Sequence, residues 1–403
     1  MSEFDAIIVG GGPAGASAAI ELAASGARVL LAERERFPRE KLCGEFISPE
    51  CLGHFERLGV LERMSAGGGA RVTETVFYAP SGRGISVPSG WLGAGAGDAL
   101  GLSRAEMDAR LLARARDAGA CVLEEASLAG IVTEGVRVRG VRLHTPGGET
   151  LEFRARVTLD ATGRHRALVR RAERELRGGR DELSAEGENG RARLVAFKAH
   201  LDGSRGAPGV CEIYFYPGGY GGLSPVEGGL SNLCFITRAR DVRVRGSDAE
   251  RVMREVVTRN RRAAHTLSDA RAQTRWLGVS VESFGRHEPA PFEGLLAVGD
   301  AAAFIDPFTG SGMLMALEGG ALAARAVTRW LEAGGDSFEP LAREYRTAYA
   351  ERFDARLRLC GLLRRAALAP PALAEVGVLA LGASAGLRRR LARATRGALA
   401  VCI

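Results

Sequence analysis

The first apolar run of the chain, Asp5-Ala-Ile-Ile-Val9, is short, uninterrupted and closed by glycines, the pattern of a strand buried on both faces. Residues 13–25 are small and apolar at helical spacing, and Arg28-Val-Leu-Leu-Ala32 repeats the buried-strand pattern, so the chain opens with a β-α-β unit. A helix is predicted over 103–119: Ser103 and Glu106 have capping-box spacing, and Leu111, Leu112 and Ala115 fall on one face. Residues 121–160 alternate around the turn signal Thr145-Pro-Gly-Gly-Glu149, predicting strands and a hairpin. Residues 172–193, mostly charged or glycine and without an apolar period, read as a mobile surface insertion. Alternation returns over 194–240, predicting an antiparallel sheet that faces a substrate. Residues 248–265 read as an Arg-rich amphipathic helix, 295–299 as a buried strand, and 311–333 and 338–366 as long helices. The tail, 367–403, holds an apolar run at 372–387 followed by Arg388-Arg-Arg-Leu-Ala-Arg393. That run is shorter than the roughly 18–20 residues a membrane span needs, leaving a packed helix pair or an interfacial, membrane-facing helix.

Composition narrows this little. The chain has 403 residues, 46% hydrophobic and 26% charged, ordinary for a soluble globular protein. The formal charge of +7 is carried almost wholly by arginine, since Lys41 and Lys198 are the two lysines. It suits a solvated basic surface, or a face for membrane lipid or an anionic substrate or carrier. No basic run interleaved with aromatics points to nucleic acid. Seven cysteines show neither a CxxC pair nor metal-ligand spacing, so reduced thiols, a cytoplasmic protein and no metal site are expected. The acidic N-terminus, running straight into a strand, is not a signal peptide.

Gly10-Gly-Gly-Pro-Ala-Gly15 fits G-x-G-x-x-G at Gly10, Gly12 and Gly15. A strand precedes it, a helix follows, and Glu33 ends the second strand, the context this motif requires for binding a dinucleotide. Gly10 makes the tight turn, Gly12 admits a pyrophosphate to the helix N-terminus, Gly15 lets helix and strand pack closely, and Glu33 accepts hydrogen bonds from the adenosine ribose. Two distant segments favour FAD over NAD. Leu295-Leu-Ala-Val-Gly-Asp300 places a carboxylate after a buried strand, suited to a polyol such as the ribityl chain. The helix starting near Ser311 would aim its positive end at the flavin ring. Asp160 is a second strand-to-loop aspartate, and Arg104 starts a helix within reach.

These segments together, Gly10–Gly15 with Glu33, Ser103-Arg104 with Asp108, Asp160-Ala-Thr-Gly163, and Gly299-Asp300 with Asp306-Pro-Phe-Thr-Gly-Ser-Gly312, resemble the FAD-dependent oxidoreductases of the para-hydroxybenzoate hydroxylase-like fold. The resemblance is greatest to the geranylgeranyl reductase-related branch. It implies an α/β fold class: a Rossmann-like FAD-binding domain (1–75, 101–170, 280–335) interleaved with an antiparallel-sheet substrate domain (76–100, 171–279), plus a helical C-terminal region (336–403). It also implies non-covalent FAD held by Gly10, Gly12, Pro13, Ala14, Gly15, Glu33, Arg34, Lys41, Cys43, Gly44, Arg104, Asp160, Gly163, Gly299, Asp300, Pro307, Gly310, Gly312 and Met313. The branch carries a Lys/Arg-x-Cys-Gly segment past the flavin, which Lys41-Leu-Cys-Gly44 resembles. Cys43 is then cavity lining, a structural cysteine or a catalytic thiol.

The reaction is less legible. Catalytic residues are unassigned, with Cys43, Tyr220 and Pro307 as cavity candidates. The branch has Tyr-x-Trp-x-Phe-Pro where this chain has Tyr220-Gly-Gly-Leu-Ser-Pro225, with Gly222 for the Trp and Ser224 for the Phe, so the pocket wall is remodelled. A halogenase Trp-x-Trp-x-Ile-Pro motif is absent. On this basis a monooxygenase of a hydrophobic aromatic or polyketide-like molecule is expected first. A C=C reductase of a prenyl or lipid substrate comes second, and a non-catalytic FAD protein last. No second Gly-rich β-α-β unit is present, so NAD(P)H docks transiently or a flavin reductase partner delivers electrons. His54, His165, His200 and His287 read as structural.

Overall fold

The computed structural model describes residues 4–66, 68–93, 97–177, 194–281, 284–368 and 370–395. The opening β-α-β unit forms as the pattern predicts: strand Phe4–Val9, helix Pro13–Ala24, strand Val29–Ala32. Five strands run parallel, in the spatial order Cys121–Leu123, Val29–Ala32, Phe4–Val9, Thr150–Asp160, Leu295–Ala297. Thr150–Asp160 forks. Its end pairs with Leu295–Ala297 (Thr158 opposite Leu295), while its start pairs antiparallel with Arg137–His144, the hairpin partner of Ser127–Glu134. The register sets Val9 beside Asp160 and Asp160 beside Ala297. Three strand ends therefore open into one crevice, where open α/β sheets bind ligands.

A second sheet of eight strands uses residues 74–88 and 194–281. It is antiparallel except where Glu74–Tyr78 lies parallel to Val210–Tyr216. The helices Pro13–Ala24 and Gly312–Glu332 cross so closely that a Cβ on Gly320 would lie 2.2 Å from the Ala14 carbonyl oxygen. The largest core cluster packs the parallel sheet and these helices together.

Three local expectations change. Residues 172–177 are the end of a helix, Ala167–Arg177, which buries Leu168, Val169 and Ala172; residues 178–193 lie outside the described segments. The helix expected over 248–265 breaks into Ala249–Glu255, a 3-10 turn, and Arg261–Thr266. Asn260 explains the break. Its Oδ1 caps the second piece, while its Nδ2 donates to the carbonyls of Tyr78, Ala79 and Phe215, bonds that a helical backbone at that point would not reach. The capping box at Ser103 is half-formed. Ser103 Oγ accepts from Glu106 N–H, but the Ser103 N–H goes to Glu227, and Glu106 pairs with Arg110.

Candidate functional site

The crevice continues into one cavity of about 1380 Å³, larger than the roughly 300–1,000 Å³ of a single small-molecule pocket. One end is the glycine loop. Gly10 has φ +111°, and a Cβ there would lie 2.3 Å from the Ala161 carbonyl oxygen. Gly12 faces open space, with the nearest guanidinium nitrogens, of Arg104 and Arg39, 3.8 Å from where its Cβ would stand. The helix beginning at Pro13 has neither a side-chain cap nor an acidic residue in its first turn, so its free N–H groups and dipole favour an anion. Gly15 lies behind the wall, where a Cβ would meet the Gly10 carbonyl oxygen at 1.9 Å.

Around this loop the charges are organised. Glu33 accepts from the Gly11 and Glu35 N–H groups at 2.8 and 3.0 Å. Arg104 is buried and forks onto Asp108 at 2.8 and 2.7 Å, and Arg39 reaches the same fully buried carboxylate at 3.0 Å. Asp300 lines the cavity and has no hydrogen-bonded or ion-paired partner among the described residues. Burial pushes its carboxyl up, opposed by Arg104, Lys41 and Arg164. Lys41 projects into the cavity. The residue is exposed at the cavity, and partial desolvation there, then repulsion from Arg104, Arg39 and Arg34, brings its ammonium down to about 8.

The segment Glu40–Glu45 crosses the cavity and is pinned from three sides. Glu45 sits at φ +54° and accepts from the Arg104 N–H at 2.9 Å, Lys198 Nζ at 2.9 Å and His200 Nε2 at 2.6 Å. Such a backbone costs on the order of 1–3 kcal/mol and persists because these bonds over-determine it. The oxygens of Glu40 and Glu45 and a His200 nitrogen lie within 4.8 Å of one another, and Lys198 ion-pairs with both carboxylates. Asn232 Nδ2 holds the Cys43 carbonyl at 2.9 Å. Cys43 lines the cavity, and burial pushes its thiol up against the pull of Arg104, so it stays a thiol at neutral pH rather than a nucleophilic thiolate.

The far end is apolar. Phe308 meets Tyr220 edge-on at 5.3 Å, Phe215 at 5.7 Å and Phe77 at 5.9 Å. Tyr220 is bonded through its hydroxyl to Asp306, which also caps the Phe308 N–H at 3.0 Å. Gly222 lines the cavity, and the Ile213 side chain, 3.0 Å from where a Gly222 Cβ would stand, takes the place beside it. Beyond, Val378, Leu381 and Leu391 of two tail helices close the wall.

Of the expected site residues, Gly10, Gly12, Pro13, Ala14, Glu33, Arg34, Lys41, Cys43, Gly44, Arg104, Gly163, Tyr220, Asp300, Pro307, Gly310, Gly312 and Met313 line this cavity. Asp160 does not line it: one carboxylate oxygen accepts from the Thr162 N–H and hydroxyl, the other from the Val169 N–H, so it shapes the loop. Gly299 sits behind Ala14, its Cβ position 2.7 Å from the Ala14 Cβ. Sequence reasoning missed the Glu45–Lys198–His200 cluster. The available signal was Lys198 itself, a charge set within a run otherwise buried on both faces.

The residues fit FAD. The loop admits a pyrophosphate only because Gly12 has no Cβ, cations converge beside it, and Asp300 keeps an unbonded carboxylate for a polyol. Fold and site together define a flavin-dependent oxidoreductase. Residues 3–348 match the FAD binding domain family, and the chain belongs to it. It is 29% identical over 360 residues to digeranylgeranylglycerophospholipid reductase 2 of Methanopyrus kandleri, covering 87% of this chain and 83% of that protein. Among solved structures, a geranylgeranyl bacteriochlorophyll reductase-like protein from Thermoplasma acidophilum aligns with TM-score 0.79 at 22% identity, over 96% of this chain and 95% of that one. The flavin-dependent brominase Bmp2 aligns with TM-score 0.78 at 20% identity, over 98% and 94%. These two likenesses establish the shared fold.

Proposed function

We propose that this FAD-dependent oxidoreductase reduces carbon–carbon double bonds in a prenyl chain carried by a lipid. The observation that carries the reading is the apolar half of the cavity, which runs from the dinucleotide loop past Phe308 to the tail helices. The likeness to a digeranylgeranylglycerophospholipid reductase along most of the chain supports it. This reverses the order expected from the sequence. The remodelling at Gly222, where Ile213 packs against the glycine, does not by itself call for oxygen chemistry.

In this reading, the N-terminus of Pro13–Ala24 with Arg39 and Arg104 holds the pyrophosphate, Glu33 the ribose and Asp300 the ribityl chain, with Gly310, Gly312 and Met313 beside the ring. Bound FAD would supply the hydride added to one alkene carbon, and the other carbon takes a proton. Two groups that keep their protons at neutral pH line the cavity: the Cys43 thiol, and the Tyr220 hydroxyl, which burial and Asp306 hold well above its ordinary value. NAD(P)H docks transiently as electron donor, or a flavin reductase takes its place.

The test is anaerobic. Holoprotein given dithionite or NAD(P)H and a digeranylgeranyl lipid in detergent is expected to yield products two mass units heavier per double bond reduced. A product formed only with oxygen, and sixteen units heavier, would make it a monooxygenase instead.

Lys41 gives a pH prediction. An anionic phosphate raises the pKa of a neighbouring ammonium, so Lys41 contributes fully to FAD affinity below pH about 8. The contribution is lost as pH climbs above that value. Titrating apoprotein with FAD by fluorescence, we expect affinity to fall across pH 8–10 and the Lys41→Gln variant to bind about 3–10-fold more weakly at pH 7 with a flatter profile. Parallel profiles for the two proteins would remove Lys41 from the phosphate site.

A further inference from the structure

The two tail helices, Pro371–Gly382 and Ala385–Ala394, have unlike faces. Their inner face lines the cavity through Val378, Leu381 and Leu391 and packs on Ile85, Val87 and Leu92, with Glu375 bonded to the Ser81 N–H and hydroxyl. Their outer face carries Val376, Leu379 and Leu387, with Leu373 at its edge on the cavity rim, all four 50–60% exposed. Among the described residues seven large hydrophobic side chains are at least 50% exposed, and four of them lie on these two helices, so the patch is no random scatter. The spacing 373, 376 and 379, with alanine at 372 and 380, makes one stripe along the first helix.

The second tail helix carries exposed Arg389, Arg390 and Arg393, and Arg365 is exposed near the end of the helix before the pair. None of these has an ion-pair partner among the described residues, and no acidic residue occurs from Val376 to Thr395. An apolar stripe beside uncompensated arginines matches a layer of anionic headgroups over acyl chains; a second protein would have to supply matching acids. No described helix is long and apolar enough to cross a membrane, and these have 12 and 10 residues, which sets them to lie in the interface.

We propose that this face docks the protein on an anionic lipid bilayer. Docking stands on the surface alone. Its consequence, that a lipid substrate reaches the cavity past helices seated in its own bilayer, rests on the reductase reading.

The holoprotein is sedimented with vesicles of phosphatidylcholine containing phosphatidylglycerol, and with pure phosphatidylcholine, without any prenyl substrate. Wild type is expected to pellet with the anionic vesicles, on the order of tenfold less with the neutral ones, and less again as salt rises. Arg389→Glu/Arg390→Glu/Arg393→Glu should weaken binding on the order of 10²-fold. Val376→Ser/Leu379→Ser should abolish it, with FAD content and turnover of detergent-dispersed substrate unchanged in both variants. Wild type remaining in the supernatant, or variants pelleting like wild type, would overturn the proposal. So would a concentration-dependent dimer that Val376→Ser/Leu379→Ser converts to monomer without any vesicle binding, since the face would then belong to a second copy. Loss of prenyl reduction with vesicle binding intact would count against the reductase reading and leave docking standing.

Discussion

Gly10→Ala is expected to destabilise the protein even without cofactor, by about 3–5 kcal/mol, whereas Gly12→Ala leaves the apoprotein intact and removes the flavin. The two glycines lie two residues apart in the same motif, but meet different surroundings. Gly10 holds φ +111°, which an L side chain rarely adopts, and a methyl there would stand 2.3 Å from the Ala161 oxygen and 2.6 Å from its carbonyl carbon. Neither strand can yield. The Ala161 N–H is bonded to the Val9 carbonyl at 2.8 Å, and the Gly10 N–H to Ala32 at 2.7 Å. A loss of that size is a large part of the 5–15 kcal/mol that holds a typical domain together. Gly12 has ordinary extended geometry, φ −71° and ψ −178°, and its methyl would meet nothing closer than 3.8 Å. That methyl would occupy the gap between Arg39 and Arg104 where the pyrophosphate is expected. Apoprotein unfolding in urea should show a lowered midpoint for Gly10→Ala and a wild-type one for Gly12→Ala, within about 0.5 kcal/mol. FAD binding by Gly12→Ala should weaken about 100-fold or more, the loss of roughly two charge-assisted hydrogen bonds. If Gly12→Ala purifies with full flavin, the phosphate lies elsewhere.

Arg104→Met is the second large effect. Asp108 is fully buried and its two oxygens are held by Arg104 and Arg39. Removing one partner from a buried, forked pair leaves carboxylate charge that the interior cannot solvate, at a cost of about 3–5 kcal/mol. Arg39 remains at 3.0 Å and holds the loss toward the lower end. Replacing both members, Arg104→Met with Asp108→Leu, should recover most of the stability, because the buried carboxylate is gone and Arg39, which loses Asp108, keeps Glu33 at 3.7 Å. It should not recover FAD, because the guanidinium beside Gly12 is still missing. The double variant thus separates the structural role of Arg104 from its role at the cofactor, read as unfolding midpoint against flavin content. Recovery of both in the double variant would make Arg104 purely structural.

Much of the fold was legible in local pattern. The β-α-β start, the helix capped by Ser103, the strand before Asp300 and the two long helices after Ser311 each follow from residues within one or two turns of each other. The errors also follow from that locality. Residues 172–177 looked too polar for a helix, because only three apolar positions, Leu168, Val169 and Ala172, needed cover from the sheet. Asn260 looked like any polar residue in an amphipathic helix until three carbonyls from distant strands came within reach of its amide. Asp160 had the position of a ligand-binding carboxylate, and its own loop took both of its oxygens.

What the sequence determined by itself was the cofactor end of the site. A glycine without a Cβ, a helix start without a cap and an acid closing a strand act through the backbone within about 25 residues, so their spacing carries their geometry. What only the tertiary structure decided was the substrate end and what steadies it. Glu45 meets His200 across 155 positions, Tyr220 meets Asp306 across 86, and Phe77, Phe215 and Phe308 close one aromatic wall from three separate segments. Those meetings depend on the register of two sheets and on where the tail helices come to rest. A register shift of one residue would turn Phe77, His200, Phe215 and Tyr220, which lie on strands, to the opposite face. No local pattern encodes that choice; it is made by the burial of the whole apolar surface at once.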